Sequence, residues 1–226
     1  MSYPGLAARV SEVRARIAER QAARGWTHGV TIIAVTKTHP AEAVRAALSA
    51  GLTAVGENRV QEALAKQDEL GDLPVEWHLI GSLQKNKARL AVNRFALIHS
   101  VDRLDLAVEL DRRAGGPQAV LVQVNCSGEP QKGGVEPDGL PELLEGLAGL
   151  PRVMVHGLMT MAELTGDSAI QRQAFARLRT LRDAAEERGH RLPELSMGMS
   201  GDYLVAVEEG ATMVRLGTIL FGERGR

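Results

Sequence analysis

The chain has 226 residues, and its 27 Lys and Arg residues nearly balance 28 Asp and Glu residues, for a formal net charge of −1. This balance gives no overall attraction to nucleic acid or to a membrane surface, so a small-molecule partner is favoured. Cys126 is the single cysteine, which excludes an internal disulfide and a multi-thiolate metal site and agrees with a reducing, cytoplasmic compartment.

The first predicted element is an amphipathic helix near the N-terminus. Its apolar residues recur at helical spacing: Leu6, Val10, Val13 and Ile17. The stretch Arg9–Arg24 is rich in arginine, as transit peptides are, but Glu12 and Glu19 within it argue against that interpretation. The chain also has no run of about 18 apolar residues that would span a bilayer, and no apolar signal-peptide core. We therefore predict a surface helix and no association with membranes.

Eight short apolar runs follow, and each is typical of a β-strand. They are Val30–Val35, Thr53–Val55, Glu76–Ile80, Ala96–His99, Ala119–Asn125, Val153–Leu158, Leu195–Gly198 and Met213–Leu216. Several are apolar at consecutive positions, which is typical of strands that are covered on both faces in a parallel sheet.

Segments with helical patterns separate the runs. They are Ala41–Ala50, Val60–Leu70, Lys85–Val92, Arg103–Ala114, Leu140–Leu147 and Ser168–Arg188. This alternation indicates α/β architecture, and the right-handed crossover rule allows a closed barrel or an open doubly wound sheet. Eight strands and a length of 226 residues favour one parallel (β/α)8 TIM-type barrel, with an extra N-terminal helix, as a single domain over residues 1–226.

Lys37 directly follows the first predicted strand, which places its amine at the mouth of the barrel. Ligands of barrel proteins meet the loops at the carboxyl ends of the strands. Burial beside apolar walls favours the neutral amine, which is the form that attacks an aldehyde carbon. Position alone is equally compatible with a solvated lysine at the end of a strand, so the neighbouring residues have to decide.

Small and polar residues flank the last two predicted strands, in Ser196–Asp202 and Arg215–Thr218. Barrels often bind phosphate there, on backbone N–H groups and at the N-terminus of a short helix. Gly217 would let the main chain approach phosphate oxygens, and Ser200 and Thr218 would add hydroxyl donors. The alternative is that Ser200 and Asp202 only cap a helix beginning near Tyr203 and that the Gly-Thr pair is a turn.

Arg215 lies two residues before Gly217, so the two positions share one face of the predicted strand. A guanidinium inside a barrel needs an acceptor. A pyridine nitrogen would serve, and the permanent charge of arginine would keep that nitrogen unprotonated and weaken the ring as an electron sink. An internal pair with Glu57 or Glu223 is the alternative, and the residues alone leave both open.

Several blocks of this sequence resemble the pyridoxal phosphate homeostasis protein family. They run in order along the chain: Ala34–Thr38, Gly56–Glu62, Trp77–Lys87, His99–Arg103, His156–Met159, Ser196–Ser200 and Met213–Gly222. The resemblance implies a single-domain barrel that binds pyridoxal 5'-phosphate (PLP) and is related to the amino-terminal domain of alanine racemase.

The resemblance also implies residue roles. Lys37 matches the Schiff-base lysine, and Arg215 matches the arginine near the ring nitrogen. Three residues match the phosphate-binding positions: Ser200, Gly217 and Thr218. Asn58 matches a residue that lines the cofactor pocket, and Met161 lies in a similar lining segment.

The sequence departs from the family pattern at two places. Gly201 stands before Asp202, where family members often carry an acidic residue, and Thr38–Pro40 differs from the more usual Lys or Gln at its middle position. The first change would alter the helix cap and so the tightness of phosphate binding. Neither change affects the proposed lysine.

Other residues have simpler interpretations. We predict that Trp77 packs in the core, that Cys126 is a small buried hydrophobe, and that the role of His78 is open. The basic group Lys85, Lys87 and Arg89 is predicted to be a solvated helix face, because no aromatic residues interleave with it. The scattered histidines lack the spacing of metal ligands.

Three functional hypotheses follow. The first is a cytoplasmic, monomeric PLP carrier or regulator that acts in vitamin B6 and amino-acid homeostasis without clear turnover, with PLP-dependent apoenzymes as recipients. The second is a PLP-dependent amino-acid racemase, for which Tyr3 and Tyr203 are the only tyrosines that could serve as a second base. The third is a barrel that binds another phosphorylated metabolite, with Lys37 as a counter-charge.

Overall fold

The computed structural model describes residues 3–129 and 131–222. Within them, eight parallel strands pair in chain order, and the last strand pairs with the first, so the sheet closes into a barrel. The strands are β1 Thr31–Val35, β2 Ala54–Glu57, β3 Glu76–Leu79, β4 Leu97–Val101, β5 Gln118–Gln123, β6 Val153–Met159, β7 Glu194–Met199 and β8 Met213–Leu216. The predicted (β/α)8 barrel is confirmed.

Helices cover the outside of the barrel. They are α1 Leu6–Arg24, α2 Glu42–Ser49, α3 Val60–Leu70, α4 Ala88–Ala91, α5 Leu104–Arg113, α6 Leu140–Ala148, α7 Ser168–Glu187, α8 Tyr203–Glu208 and α9 Thr218–Phe221. The predicted N-terminal helix is confirmed as α1, which precedes β1 and contacts α8 and α9. Among the helices in the described ranges, none combines the length and the apolar composition needed to cross a bilayer.

Several predicted boundaries were wrong, because pairing between strands rather than local composition sets where a strand stops. β2 continues past Val55 to Glu57, since Gly56 and Glu57 pair with β3. β5 ends at Gln123 rather than Asn125, because Val124 leaves β5 and forms an isolated bridge with Val135. β4 is shifted toward its carboxyl end, from the predicted Ala96–His99 to Leu97–Val101.

One predicted helix also differs. Lys85–Val92 is a 3₁₀ turn at Lys85–Lys87 followed by the single α-helical turn of α4. Lys85 and Arg89 are solvent-exposed and Lys87 is half-buried. The buried apolar residues of this segment are Ala88, Ala91 and Val92, and Leu90 packs partly against the core.

The core has two parts. The larger part fills the space between the strands and the surrounding helices, and it includes the four apolar residues of α1: Leu6, Val10, Val13 and Ile17. The smaller part lies on the inward faces of the strands and contains Ile33, Ala54, Leu97, Leu121, Met159 and Met213. Since side chains two residues apart on a strand share a face, His99 and Arg215 form the next layer above Leu97 and Met213, toward the carboxyl ends. A polar layer therefore separates this apolar floor from the mouth of the barrel.

Candidate functional site

A cavity of about 380 Å³ opens at the carboxyl ends of the strands. Its walls come from both ends of the chain, because β1 and β8 are neighbours in the closed sheet. The structure brings together at this cavity all seven residues that were predicted to bind a cofactor: Lys37, Asn58, Met161, Ser200, Arg215, Gly217 and Thr218. A cavity at this position is where barrel proteins bind their ligands.

Lys37 is half-buried and lies two residues after the end of β1. The main chain on both sides of it is held by α3. The carbonyl oxygen of Thr36 accepts a hydrogen bond from Nζ of Lys66 at 2.8 Å, and the N–H of Thr38 donates to Oε1 of Glu62 at 2.6 Å. Thr38 has a φ of 65°, in the left-handed region that a β-branched residue rarely adopts. These bonds fix the turn that presents Lys37 to the cavity.

A buried ion pair supports the same turn from outside the barrel. Lys66 Nζ lies 2.6 Å from Oε1 of Glu57, and that oxygen also accepts a hydrogen bond from the Thr36 hydroxyl at 2.6 Å. Burial raises the pKa of Glu57, and the hydrogen bonds from Lys66 and Thr36 oppose this increase. Burial also acts to raise the pKa of Glu62, but the Thr38 N–H and Lys66 outweigh it, so the pKa of Glu62 lies below its usual value.

Ser200 lies on the part of the cavity wall that comes from the carboxyl-terminal strands. Its Oγ atom accepts hydrogen bonds from the N–H groups of Gly217 at 3.2 Å and Ile219 at 3.3 Å, at the start of α9. The hydroxyl proton of Ser200 therefore remains for another acceptor. A Cβ atom on Gly217 would lie 3.5 Å from Cβ of Val35, which also lines the cavity, so the protein's own packing leaves room for a side chain at Gly217.

The turn between β7 and α8 has two further fixed points. Asp202 directly precedes α8, yet its carboxylate caps no N–H of that helix and instead accepts a hydrogen bond from the N–H of Met199 at 2.5 Å. The alternative that the Asp202 side chain caps α8 was therefore wrong. Gly198 has a φ of 91°, and a Cβ there would lie 2.6 Å from Cβ of Ala206, so packing of α8 on β7 requires glycine.

Arg215 is buried inside the barrel, and its partners are not carboxylates. Nη1 donates to the carbonyl oxygen of Ser196 at 2.8 Å and to its Oγ at 2.7 Å, and Nη2 donates to the carbonyl oxygen of Thr160 at 2.9 Å. Burial lowers the pKa of Arg215 to about 10, and Asp202 opposes this change, so the guanidinium is charged at neutral pH.

The predicted alternative of an Arg215–Glu57 pair was wrong. Glu57 is bound by Lys66 and Thr36, on the outer side of the sheet, where neighbouring α3 supplies the lysine. A strand turns successive side chains to opposite faces, and Glu57 faces away from the barrel interior that holds Arg215. The other candidate partner, Glu223, lies outside the described residues.

His78, whose role the sequence left open, is hydrogen-bonded inside the barrel. Its Nδ1 lies 2.9 Å from Nε2 of His99, and Nδ1 of His99 lies 2.9 Å from Oγ of Ser196. Burial lowers the pKa of His78 to about 4. Burial also lowers the pKa of His99 well below its usual value, with further contributions from His78 and Arg215, so both imidazoles are neutral near pH 7.

Sequence reasoning missed His99, Ser196 and Thr160 as partners of the site. A signal was available for His99, because it lies two residues after the inward-facing Leu97 on β4. No local pattern identifies Thr160, which contributes its carbonyl oxygen.

The two tyrosines lie in different places. Tyr203 was considered as a residue that reaches the site. It is instead buried in the larger part of the core, between the strands and the helices, and the Arg16 guanidinium of α1 lies 6.0 Å from its ring centre. The first turn of α8 packs this side chain against α1, so that expectation was wrong. Tyr3 lies nearer the cavity, since its hydroxyl is 3.2 Å from Nδ1 of His39, a residue that lines it.

The remaining sequence predictions concern packing. Trp77 packs against the larger part of the core and Cys126 is buried within it, as predicted. Burial raises the pKa of the Cys126 thiol to about 11. A Cβ on Gly81 would lie only 2.3 Å from the carbonyl oxygen of Asn58, so glycine allows the β3 exit to approach the segment that presents Asn58.

Comparison with known proteins places this geometry in a family. The profile described as "Alanine racemase, N-terminal domain" matches residues 10–225. The chain is 48% identical over 223 residues to the pyridoxal phosphate homeostasis protein of Pseudomonas aeruginosa, covering 97% of this chain and 96% of that one. It is 47% identical over 222 residues to the protein of the same name from Aquifex aeolicus, covering 96% and 97%.

A solved structure agrees with these relatives. PipY of Synechococcus elongatus, solved with PLP bound, is 46% identical and superposes with a TM-score of 0.80, covering 91% of this chain and 100% of that chain. The barrel fold is thus shared with PipY, and nearly half of the aligned residues are shared with each of these relatives. The chain belongs to the family of the alanine racemase N-terminal domain and, within it, to the pyridoxal phosphate homeostasis proteins.

Proposed function

We propose that this chain binds PLP as a Schiff base on Lys37 and serves intracellular PLP and amino-acid homeostasis without catalytic turnover. The observation that carries the proposal is the shared cavity, in which Lys37 faces a wall formed by Ser200, Gly217, Thr218 and the buried Arg215. An amine, a set of phosphate-binding donors and a guanidinium can serve the aldehyde, the phosphate and the ring nitrogen of PLP at one site. The names of the two relatives and the PLP bound to PipY support the same conclusion.

Each residue has a separate task in this proposal. Lys37 provides the amine, and PLP supplies the aldehyde carbon to which an amine can bond. Ser200 would donate a hydrogen bond from its hydroxyl to the phosphate, and the hydroxyl of Thr218 and the close approach of the main chain at Gly217 would complete that subsite. Asn58 and Met161 line the remaining wall.

Arg215 would limit the electron withdrawal that the ring of bound PLP can provide. Its charge, fixed inside the barrel by Ser196 and Thr160, disfavours a second positive charge on a pyridine nitrogen. An unprotonated ring withdraws electrons weakly and so gives little help to carbanion chemistry. The described residues around Arg215 place no carboxylate in salt-bridge contact with it that would reverse this effect.

The wider setting is part of the same proposal. We infer one domain over residues 1–226, a monomer in the cytoplasm, and PLP-dependent apoenzymes as the recipients of the cofactor. Neither nucleic acid nor a membrane is needed as a partner. Size-exclusion chromatography with light scattering tests the monomer, and transfer of PLP from the purified protein to an apoenzyme tests the recipient.

Borohydride trapping tests the Schiff base. The chain has five lysines, and Lys37 is the lysine that lines the cavity in the described part of the chain. Reduction of the PLP-loaded protein followed by peptide mapping should label Lys37. The variant Lys37→Ala should lose both the label and the near-ultraviolet to violet absorption, whereas Lys85→Ala should keep them. A label on another lysine, or no absorption band in the wild type, would refute the assignment, and the latter would favour another phosphorylated ligand.

A racemase is the second candidate. The observation that favours it is the contact between Tyr3 and His39, which brings two titratable groups to the rim of the cavity. Racemisation needs an acid–base group on the opposite face of the substrate from Lys37. Conversion of one alanine or serine enantiomer into the other by the purified protein, lost in both Lys37→Ala and Tyr3→Phe, would support this function over the first.

A further inference from the structure

A continuous chain of hydrogen bonds crosses the inside of the barrel beneath the cavity. It connects His78 on β3, His99 on β4, Ser196 on β7 and Arg215 on β8, with successive distances of 2.9, 2.9 and 2.7 Å. All four residues are buried, with exposures between 0% and 4%. The His99–Ser196 bond crosses the barrel interior between β4 and β7, which are not paired with each other.

Donor and acceptor chemistry fixes the direction of every proton in this chain. A guanidinium only donates, so Oγ of Ser196 accepts from Arg215. The Ser196 hydroxyl must then donate its own proton, and Nδ1 of His99 is the acceptor that lies within reach. In the opposite arrangement, with a proton on Nδ1 of His99, the buried Ser196 hydroxyl proton would lack this acceptor, and such groups are costly.

The same reasoning extends to the two imidazoles. A neutral His99 with an unprotonated Nδ1 carries its proton on Nε2 and donates it to Nδ1 of His78. His78 therefore carries its proton on Nε2, an atom that has no hydrogen-bond partner among the described residues and lies 3.9 Å from Oε2 of Glu76. Both histidines are expected to be Nε2–H tautomers.

We propose that His99, supported by His78, is a positioning residue for Arg215. It orders the Ser196 hydroxyl so that a lone pair faces Nη1, and the guanidinium is thereby held in the one orientation in which it also donates to Thr160. Arg215 lines the cavity, so the orientation of its guanidinium decides which N–H groups can donate hydrogen bonds to a ligand. The consequence for PLP rests on the proposed function, but the direction of the chain does not.

Nitrogen-15 NMR of the ligand-free protein tests the direction of the chain. Long-range proton–nitrogen spectra should report Nε2–H tautomers for His78 and His99, and Ser196→Ala should shift the Nδ1 signal of His99 more than Met213→Leu does. Met213 belongs to the apolar layer below, and a volume-conserving exchange there preserves packing. A proton on Nδ1 of His99 would overturn the inference, whether or not the protein binds PLP.

Equilibrium binding and absorption test the positioning role. Ser196→Ala and His99→Phe should each weaken PLP binding about tenfold and move the absorption band of the bound cofactor, and the double variant should lose no more than either single one, since both act through one contact to Arg215. Met213→Leu should leave both measurements near the wild type.

Two results would contradict the positioning role. One is unchanged affinity and absorption in Ser196→Ala, which removes a single oxygen and preserves the fold. The other is an additive loss in the double variant. Failure of the proposed function is seen separately, as the absence of labelled Lys37 in the wild-type protein.

Discussion

Nζ of Lys66 lies 2.6 Å from Oε1 of Glu57 and 2.8 Å from the carbonyl oxygen of Thr36, the residue that precedes the candidate Schiff-base lysine. The ion pair is almost completely buried, with side-chain exposures of 8% for Lys66 and 0% for Glu57. It joins α3, the end of β2 and the turn after β1. The position of Lys37 therefore depends on a pair of charges outside the barrel.

Removing Lys66 should destabilise the protein strongly. Lys66→Met leaves the Glu57 carboxylate buried without a counter-charge, and loss of one member of a buried pair costs about 3–5 kcal/mol. The free energy of unfolding, from urea titration, should fall by about this amount. The matched exchange Lys85→Met, at an exposed ion pair with Asp105, should cost less than about 1 kcal/mol.

A second exchange checks the cause of that loss. If an unpaired charge is responsible, Glu57→Gln added to Lys66→Met should recover part of the lost stability, because a neutral amide is cheaper to bury than a carboxylate. A double variant that is less stable than Lys66→Met would show that packing, not charge, dominates at this place.

Gly81→Ala should damage both the fold and the site. The new Cβ would lie 2.3 Å from the carbonyl oxygen of Asn58, a main-chain atom that cannot move without shifting the cavity wall. Overpacking of this kind costs about 1–3 kcal/mol. Gly116→Ala is the control, because nothing lies within 4 Å of its Cβ. The midpoint of thermal unfolding and the affinity for PLP should both decline in Gly81→Ala. Neither should decline in Gly116→Ala.

Gly217→Ala should separate stability from binding. Its Cβ would lie no closer than 3.5 Å to any described atom beyond its two chain neighbours, so the free energy of unfolding should change by less than about 1 kcal/mol. The added methyl group would occupy the wall where we propose that phosphate binds, and PLP affinity should fall about tenfold or more. An unchanged affinity measured by dialysis would remove Gly217 from the proposed phosphate subsite.

The buried histidines predict lower stability in mild acid. The pKa of His78 is about 4 in the folded protein, below its usual value of 6.5, so the unfolded chain binds more protons between these values. The contribution of His78 is fully present above pH 6.5 and is lost as pH falls toward 4. Between about pH 7 and about pH 5 this loss is about 2 kcal/mol, and His99 adds a loss of the same sign.

A variant isolates this effect from the carboxylates, which also titrate in acid. Burial raises the pKa of Glu57 and of Asp202, and their contributions have the opposite sign. These contributions cancel when the wild type is compared with His78→Phe at each pH by urea unfolding. The variant should have the shallower pH dependence below pH 6.5, and equal slopes would contradict the lowered pKa of His78.

Tyr203→Phe should be neutral or slightly stabilising. The Tyr203 hydroxyl is buried without a hydrogen-bond partner in the described part of the chain, so its removal eliminates a desolvation cost. The absorption spectrum with PLP should not change, because the ring packs toward α1. A loss of PLP binding in this variant, with the fold intact, would contradict the position of Tyr203 outside the site.

Much of the architecture and the membership of the site follows from the sequence alone. Eight apolar runs separated by helical segments specify strands that must be covered on both faces, and helices between them supply the cover. The carboxyl ends of parallel strands meet at one edge, so the position of Lys37 after β1 and of Ser200 after β7 already predicts a common cavity. These predictions need only local residue patterns and the order of the elements, and both can be read from the sequence of one chain.

Only the tertiary structure decided which side chains contact each other. His99 and Ser196 are 97 residues apart, and their bond exists because closure of the barrel directs side chains of β4 and β7 into one interior. Glu57 pairs with Lys66 rather than Arg215, and Tyr203 faces α1, because packing fixes the face of each strand and the rotation of each helix. Local periodicity says that a side chain is buried, but the identity of its neighbour depends on segments that are distant in sequence.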